Sequence, residues 1–424
     1  MVKKRNFELE CSSCGRSSSF GSYSCSACGG ILLANIDLSG LKSPEDIFRR
    51  ENPGIWKYSP VLPDISARIT FFEGQTPCIE TKSIGEELEL NLYVKDEGRN
   101  PTGSFKDRTS SILTSVEKEL GHRVASTTSS GNAAGSLALY SRLAGLDLVV
   151  FMFRPTPEKL THTSSFDPLI CLVRAEAESE VYRLHRRACE KFSWAELTTM
   201  SSANPYNVEG YKTISYEIYE DIGLPDAIVT PVGSGTLTIG IWKGFDELLR
   251  MGFIDRLPRL IGVQPERVNP ISRAFAEAKD RVSPVDDPEE TVATGAVTDN
   301  PGLSGDETLA RVRETDGEMV SVGEERILDY WKSLPAREGI FAEPTGALSL
   351  AGLEVALEGG SIKSGEKVVC VNSASGFKDL SSFGSNSRGD RVVEIENNLE
   401  DVARLAEEFN LVGESRKNRP QKDE

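Results

Sequence analysis

Between residue 76 and about residue 373, short apolar or β-branched runs alternate with longer stretches of helical period. No other feature restricts the chain's fold as much. "LNLYVKDE" precedes "SILTSVEKEL", "RVASTTSS" precedes "AAGSLALYSRLAG", and "LDLVVFMF" follows. Further along come "YKTISYEIYEDIG", "AIVTPVGSG", "IGIWKGFDELLRMG", "LPRLIGVQPE", "ALSLAGLEVALEGG" and "KVVCVNSASG". Strands this apolar are buried on both faces. With amphipathic helices between them they form open, mostly parallel sheets covered by helices, an α/β fold. Ligands of such sheets sit in loops beyond the carboxyl ends of the strands, so the strand-to-helix turns are the places to look for chemistry.

A chain of 424 residues outgrows a single hydrophobic core, and two or three domains are expected. The net charge of −17 argues against broad contact with nucleic acid or an anionic membrane. The opening "MVKKRNFELEC" lacks the apolar core of a signal peptide, and "LDLVVFMF" is far too short to span a bilayer, so a cytoplasmic location is expected. Residues 36–75 read as an irregular arm, and the polar, Pro- and Gly-rich residues 279–325 as a long surface excursion. Near the end, Leu399, Val402, Ala406 and Phe409 share one helical face, so a docked helix is expected, followed by a solvated tail.

Four of the eight cysteines form two C-x-x-C pairs, Cys11 with Cys14 and Cys25 with Cys28. Two such pairs separated by a short loop match a structural zinc site, because each tight knuckle aims both sulfurs inward. Disulfides are the alternative, which a cytoplasmic setting disfavours. Cys78, Cys171, Cys189 and Cys370 are scattered and read as small hydrophobes.

Four turns stand out. "NPTGSFKDR" (Asn100 to Arg108) sets the lone Lys106 among small hydroxyl residues, glycine and proline. A lysine that attacks a carbonyl needs a tight, partly desolvated setting of this kind, although a plain turn with a solvated lysine fits the same nine residues. "TTSSGNAAGS" (Thr127 to Ser136) starts a helix without bulky side chains and offers N–H groups to an anion, or is a simple small-residue cap. "PVGSGTLT" (Pro231 to Thr238) reads as a phosphate cradle: Gly233 and Gly235 let the backbone close on an anion, with Ser234, Thr236 and Thr238 as hydroxyl donors around Leu237. It lacks the G-K-[ST] ending of nucleoside-triphosphate loops. "VVCVNSASGFKD" (Val368 to Asp379) runs a buried strand into a polar turn. A reactive lysine, an anion-binding helix start, a phosphate cradle and a terminal hydroxyl turn on one α/β scaffold together suit pyridoxal phosphate, held through a Schiff base to the lysine.

These stretches resemble the threonine synthase branch of fold-type II pyridoxal-phosphate enzymes. "NPTGSFKDR" resembles that family's lysine motif, with Lys106 as catalytic residue and Phe105 beside the ring. "SSGNAA" resembles its asparagine loop, in which Asn132 faces the ring and Ser129, Ser130 and Gly131 the substrate carboxylate. "NPYNVEGYKT", "VGSGTLTIGIWKGF" and "GQTPCIE" resemble further family segments, and some family members begin with a paired-cysteine zinc module. The resemblance implies a two-domain, tryptophan synthase β-like fold with a zinc-ribbon-like module at 1–35. The larger, cofactor-binding domain is expected from 36–115 and 205–395, the smaller α/β domain from 116–204, and a C-terminal helix and tail from 396–424. It implies a carbon–oxygen lyase of threonine biosynthesis that turns O-phospho-L-homoserine and water into L-threonine and phosphate. The expected partner is a small amino-acid substrate, and a homodimer is compatible with the reading. Ser373 is expected to hold the pyridine nitrogen.

The chain also departs from the family pattern. Ser375 stands where the last motif has histidine, Asn207 where the Asn-Pro segment has a cation, and Tyr211 where it has glutamine. Lys159, Lys212 and Lys378 remain as cations for a substrate phosphate, with Lys212 expected to bind it. These departures keep open another fold-type II reaction, either β-replacement of the cysteine- or cysteate-synthase kind or deamination of serine or threonine.

Overall fold

The computed structural model describes residues 5–176, 178–380, 393–409 and 411. Residues Met1–Asp379 form one compact unit and Leu380–Glu424 a second.

The first unit holds three sheets. The smallest is antiparallel and made from β1 (Phe7–Cys11), β2 (Ser17–Ser18) and β3 (Leu32–Ile36) in the order β2-β1-β3. A six-stranded sheet draws on β4 (Cys78–Glu80), β5 (Asn91–Asp96), β10 (Ala227–Pro231), β11 (Arg259–Pro265), β12 (Glu318–Val322) and β13 (Lys367–Asn372). Its order is β12-β11-β10-β13-β5-β4, parallel except for the antiparallel edge strand β4. A four-stranded parallel sheet uses β6 (Val124–Thr128), β7 (Asp147–Met152), β8 (Leu169–Leu172) and β9 (Ala195–Glu196) in the order β8-β7-β6-β9. The two parallel sheets thus come from separate stretches of chain.

The residues explain this arrangement. β10 is buried at all five positions and β13 at five of six, as expected for central strands covered on both faces. Each fully buried Val or Ile there contributes about 1.5–3 kcal/mol relative to exposure. Residues 36–75 contain no strand beyond the end of β3, only two 3-10 stretches, Pro44–Ile47 and Gly54–Val61.

Residues 279–325 differ from the expected excursion. They include the helix Gly302–Glu314 and the edge strand β12, which pairs with β11 from Ile261↔Glu318 to Pro265↔Val322. Edge strands are short and mixed in composition, so "EMVSV" carries little signal of its own.

The cysteine-bearing sheet packs on the large unit through aromatic contacts. Phe7 and Phe20 lie 6.4 and 6.0 Å from the Tyr206 ring, and the Gly21 amide donates to Tyr206 Oη at 3.1 Å. In the second unit, the helix Leu399–Glu408 starts at Asn398, whose side chain accepts from the Asp401 amide. The expected tail from 413 onward lies outside the described residues. Among the described residues no helix is long and apolar enough to cross a membrane.

Candidate active site

Three of the four special turns leave β5, β13 and β10, which are neighbours and parallel, so all three open at the carboxyl end of the six-stranded sheet. The fourth leaves β6 of the other sheet and starts the helix Asn132–Ala144. That helix is tied to the helix Lys106–Leu120 by the Ser136 hydroxyl, 2.6 Å from Asp107 Oδ1 and 2.7 Å from Ser110 Oγ.

Backbone bonds draw the lysine turn and the terminal turn together. The Phe105 amide donates to the Ser373 carbonyl (3.0 Å) and the Ser375 amide to the Gly103 carbonyl (2.9 Å). On the other side of the same segment, the Glu343 amide donates to the Ala374 carbonyl (3.1 Å) and the Gly376 amide to the Phe341 carbonyl (2.8 Å). Residues 373–376 are therefore clamped between the turn that carries Lys106 and the start of the helix Pro344–Glu358, which places Lys106, Ser373 and Glu343 around one space.

Lys106 is partly buried at the first position of its helix, and its Nζ donates to Thr199 Oγ1 at 3.3 Å. Nζ lies 4.5 Å from the centre of the Phe105 ring, which itself meets Tyr211 at 4.9 Å. Burial lowers the Lys106 amine to about 8, with Glu343 pulling the other way. A lysine shifted in this way holds an appreciable fraction of free, nucleophilic amine near neutral pH.

Beyond β10, Gly235 takes φ +90 and caps the helix Thr236–Arg250. A Cβ there would run into the Thr308 side chain, so only glycine fits both the dihedral and the space. Gly233 and Ser234 are partly exposed, whereas Thr236, Leu237 and Thr238 are buried. The Leu237 side chain is buried in the core, which leaves its N–H as the group it could offer a ligand. Ser234 Oγ is 3.2 Å from Thr236 Oγ1, which accepts from the Ser201 amide at 3.0 Å, and Thr238 Oγ1 is 2.8 Å from Thr230 Oγ1. The open N–H groups at this helix start could receive an anion.

Ser373 is 2% exposed, and its hydroxyl has no protein partner among the described residues; the same holds for Asn132 Oδ1 and Tyr211 Oη. Buried polar atoms are rarely left unpaired, and these three have capacity to bond a ligand's polar atoms. Asn132 Nδ2 donates to both Glu343 oxygens, at 3.0 and 3.1 Å. The Gly131 amide donates to Ser129 Oγ at 3.2 Å. The Ser130 hydroxyl is taken up by Phe153, donating to its carbonyl (2.6 Å) and accepting from its amide (2.7 Å).

Lys212 departs from expectation. It is fully buried between Glu209 (2.7 Å) and Glu247 (2.9 Å), inside a network with Lys243 and Tyr216. Burial alone pushes the amine down, but the two carboxylates outweigh it and hold it above the ordinary lysine range. A lysine with both neighbouring carboxylates already in place has no charge to offer a substrate. Asn207 is structural too. Its Nδ2 donates to the carbonyls of Thr198, Met200 and Asn204, and its Oδ1 accepts from Thr109.

Glu343 is the site residue that sequence reasoning missed. It is 3% exposed, and burial pushes its carboxyl upward. Its only signal in the sequence is an acid just before Pro344 at a helix start, a common cap.

At the far end of the chain, the sulfurs of Cys11, Cys14, Cys25 and Cys28 all lie within 4.8 Å of one another, and all four are free thiols. Four thiols at this separation can hold a metal ion.

Residues 69–374 match the model of the pyridoxal-phosphate dependent enzyme family. A threonine synthase from Methanosarcina acetivorans is 34% identical over 88% of this chain and 92% of its own. One from Methanocaldococcus jannaschii is 35% identical over 84% of this chain and 89% of its own. Among solved structures, maize serine racemase aligns with a TM-score of 0.64 at 22% identity, covering 81% of this chain and 96% of that one. The processed form of threonine deaminase isoform 2 from Solanum lycopersicum aligns with a TM-score of 0.62 at 19% identity, covering 74% and 88%. At these identities the two structures speak for the fold alone.

Proposed function

We propose, from the premise that this chain belongs to the pyridoxal-phosphate dependent enzymes and within them to the threonine synthase family, that it converts O-phospho-L-homoserine and water to L-threonine and phosphate. The observation that carries the reading is the clamp on residues 373–376, whose backbone bonds join the turn that carries Lys106 to the segment that carries the buried, unpartnered hydroxyl of Ser373. That pair fits the cofactor's aldehyde and its pyridine nitrogen, and the anion seat at Gly233 to Thr238 fits its phosphate.

When bound, the cofactor supplies an electron sink for negative charge on substrate carbon. The chain's own residues do the rest. Gly235 and the first N–H groups of the helix Thr236–Arg250 hold the phosphate. The Ser373 hydroxyl, a neutral partner, would hold the ring nitrogen without placing a negative charge beside it. Ser129, Gly131 and the start of the helix Asn132–Ala144 receive the substrate carboxylate, with Ser130 acting through its hold on Phe153. Lys106, steadied by Thr199, moves protons at the substrate carbons. The γ-phosphate would leave with loss of a β proton, after which the γ carbon would take up a proton and water would add at the β carbon.

A second reading rests on Asn207 and Ser375, which stand where family members place a cation and a histidine, and it assigns β-replacement or deamination to the same site. Purified holoenzyme is offered O-phospho-L-homoserine, L-serine and L-threonine. Phosphate release with threonine formation supports the first reading, whereas keto-acid formation from serine or threonine in its place sinks it. We assign zinc to the four cysteines on their sulfur-only donor set. Elemental analysis of protein purified under reducing conditions should find about one zinc per chain, lost in a Cys14→Ser, Cys28→Ser variant; disulfides without metal would refute this.

A further inference from the structure

Lys159 and Lys378 are 7% and 9% exposed, and neither has an ion-pair partner among the described residues. A buried ammonium group with unfilled donors is costly unless something anionic completes its shell. Lys159, on the helix Pro157–Ser164, spends one donor on Thr294 Oγ1 at 3.2 Å. Lys378 donates to the Thr102 carbonyl at 2.8 Å, and its Nζ is 3.3 Å from His162 Nδ1. Each Nζ carries three donors, so both lysines keep capacity that this chain does not use.

His162 lies one turn beyond Lys159, so both side chains leave the same helix face. Gly135, in the helix that begins at Asn132, makes room for it, because a Cβ there would run into the imidazole. The ring also meets Phe166 edge-on at 5.3 Å. Burial, with Lys378 adding to it, lowers His162 to about 4, which keeps the ring neutral and its Nδ1 free to accept from Lys378. The last motif has Ser375 in place of the family's histidine, and here an imidazole reaches the motif's lysine from a different element.

The cluster faces the active site. Lys159 and Lys378 both act electrostatically on Glu343, the carboxyl that Asn132 binds and that also influences Lys106. Thr294 heads the short stretch Thr294–Ala296, which lies against Gly233 of the phosphate seat. Asp107 and Glu343 favour the charge on Lys378 from a distance, without a hydrogen bond or ion pair to it among the described residues.

Resting on the threonine synthase reading, we propose that Lys159 and Lys378 form the subsite for the phosphate of the substrate, with His162 as the positioning residue that aims Lys378. The ligand chemistry is a tetrahedral phosphate dianion, which the substrate carries as an ester and the product as free phosphate. Lys212, buried among carboxylates, has no part in it.

The test uses holoenzyme with inorganic phosphate and L-threonine as separate binding probes, and O-phospho-L-homoserine as substrate. Lys159→Met and Lys378→Met should each weaken phosphate binding and raise KM for phosphohomoserine by at least about tenfold, as expected for a lost charged contact. Cofactor absorbance and L-threonine affinity should stay within about twofold. His162→Phe should weaken phosphate severalfold, and His162→Gln, which keeps an acceptor, should recover part of that loss. Lys159→Gln covers the case in which methionine lowers stability. Unchanged phosphate affinity in the lysine variants overturns the proposal. So does an equal loss of L-threonine affinity, which would mean that shape and not the phosphate is being sensed. Wild-type enzyme that releases no phosphate from phosphohomoserine defeats the parent reading instead, and the phosphate titration then still decides whether the cluster is an anion site.

Discussion

Two groups of buried lysines differ in their partners. Lys212 and Lys243 sit between Glu209 and Glu247, with Tyr216 donating to Glu247 and Lys243 also reaching the Ala34 carbonyl at 2.6 Å. Lys106, Lys159 and Lys378 are buried or half-buried with only hydroxyl, carbonyl or imidazole partners. The carboxylates hold Lys212 above the ordinary range, burial outweighs them at Lys243 and moves it down, and burial brings Lys106 and Lys378 down to about 8. Burial alone therefore says nothing about role. A buried lysine with its counter-charges in place is part of the scaffold, and one without them is held ready for a ligand.

The comparison breaks first at Lys106. Lys106→Ala should lose turnover by on the order of a thousandfold or more, about 4 kcal/mol of barrier, and should bind cofactor without covalent attachment. Near-native turnover in that variant would remove the whole second group from the active site.

Lys212→Met tests the scaffold group. It leaves the two buried carboxylates with Lys243 as their one remaining cation, so unfolding free energy should fall by roughly 3–5 kcal/mol, read from denaturant melts. KM for phosphohomoserine, per folded holoenzyme, should stay near wild type. A KM effect without a stability loss would return Lys212 to the substrate.

A pH series sharpens the contrast in charge state. Lys106 has its folded value lowered to about 8, below an ordinary lysine, so its free-amine fraction falls about tenfold for each pH unit below 8 and levels off above. The rate at which apoenzyme captures cofactor covalently should follow that curve. A rate still climbing towards about pH 10.5 would show an undisturbed amine.

The smallest effect belongs to a control pair at the surface. Arg326 meets Glu354 and Glu358 with its side chain a third exposed. Arg326→Ala should cost less than about 1 kcal/mol in the same melts, with activity untouched.

Much of this was legible in the sequence, for reasons that differ from residue to residue. Lys106 and Gly235 could be located because turn chemistry is local: each sits at a strand-to-helix junction whose small residues declare it. The parallel sheets could be read because buried strands such as "KVVCVN" are apolar throughout. Glu343 could not, since it reaches the site only through the bridge between Ala342 and Ser375, a pairing between residues far apart in the chain. Lys212 looked like a substrate cation because Glu247, one of the two carboxylates that claim it, lies far along the chain. Glu209, three residues before it, was the available hint. The edge strand Glu318–Val322 was lost in a polar context because five residues cannot announce a ladder partner.

The contact between Lys243 and the Ala34 carbonyl has a consequence for how such a protein can change over generations. The cysteine-bearing sheet supplies a backbone acceptor to an ammonium buried under the catalytic scaffold. A descendant that shed the sheet would uncover Lys243, strand part of the charge on Glu209, and expose the Tyr206 ring that Phe7 and Phe20 now cover. Losing the module would therefore require matched replacements at several distant positions at once, so the two parts are expected to be inherited together or not at all.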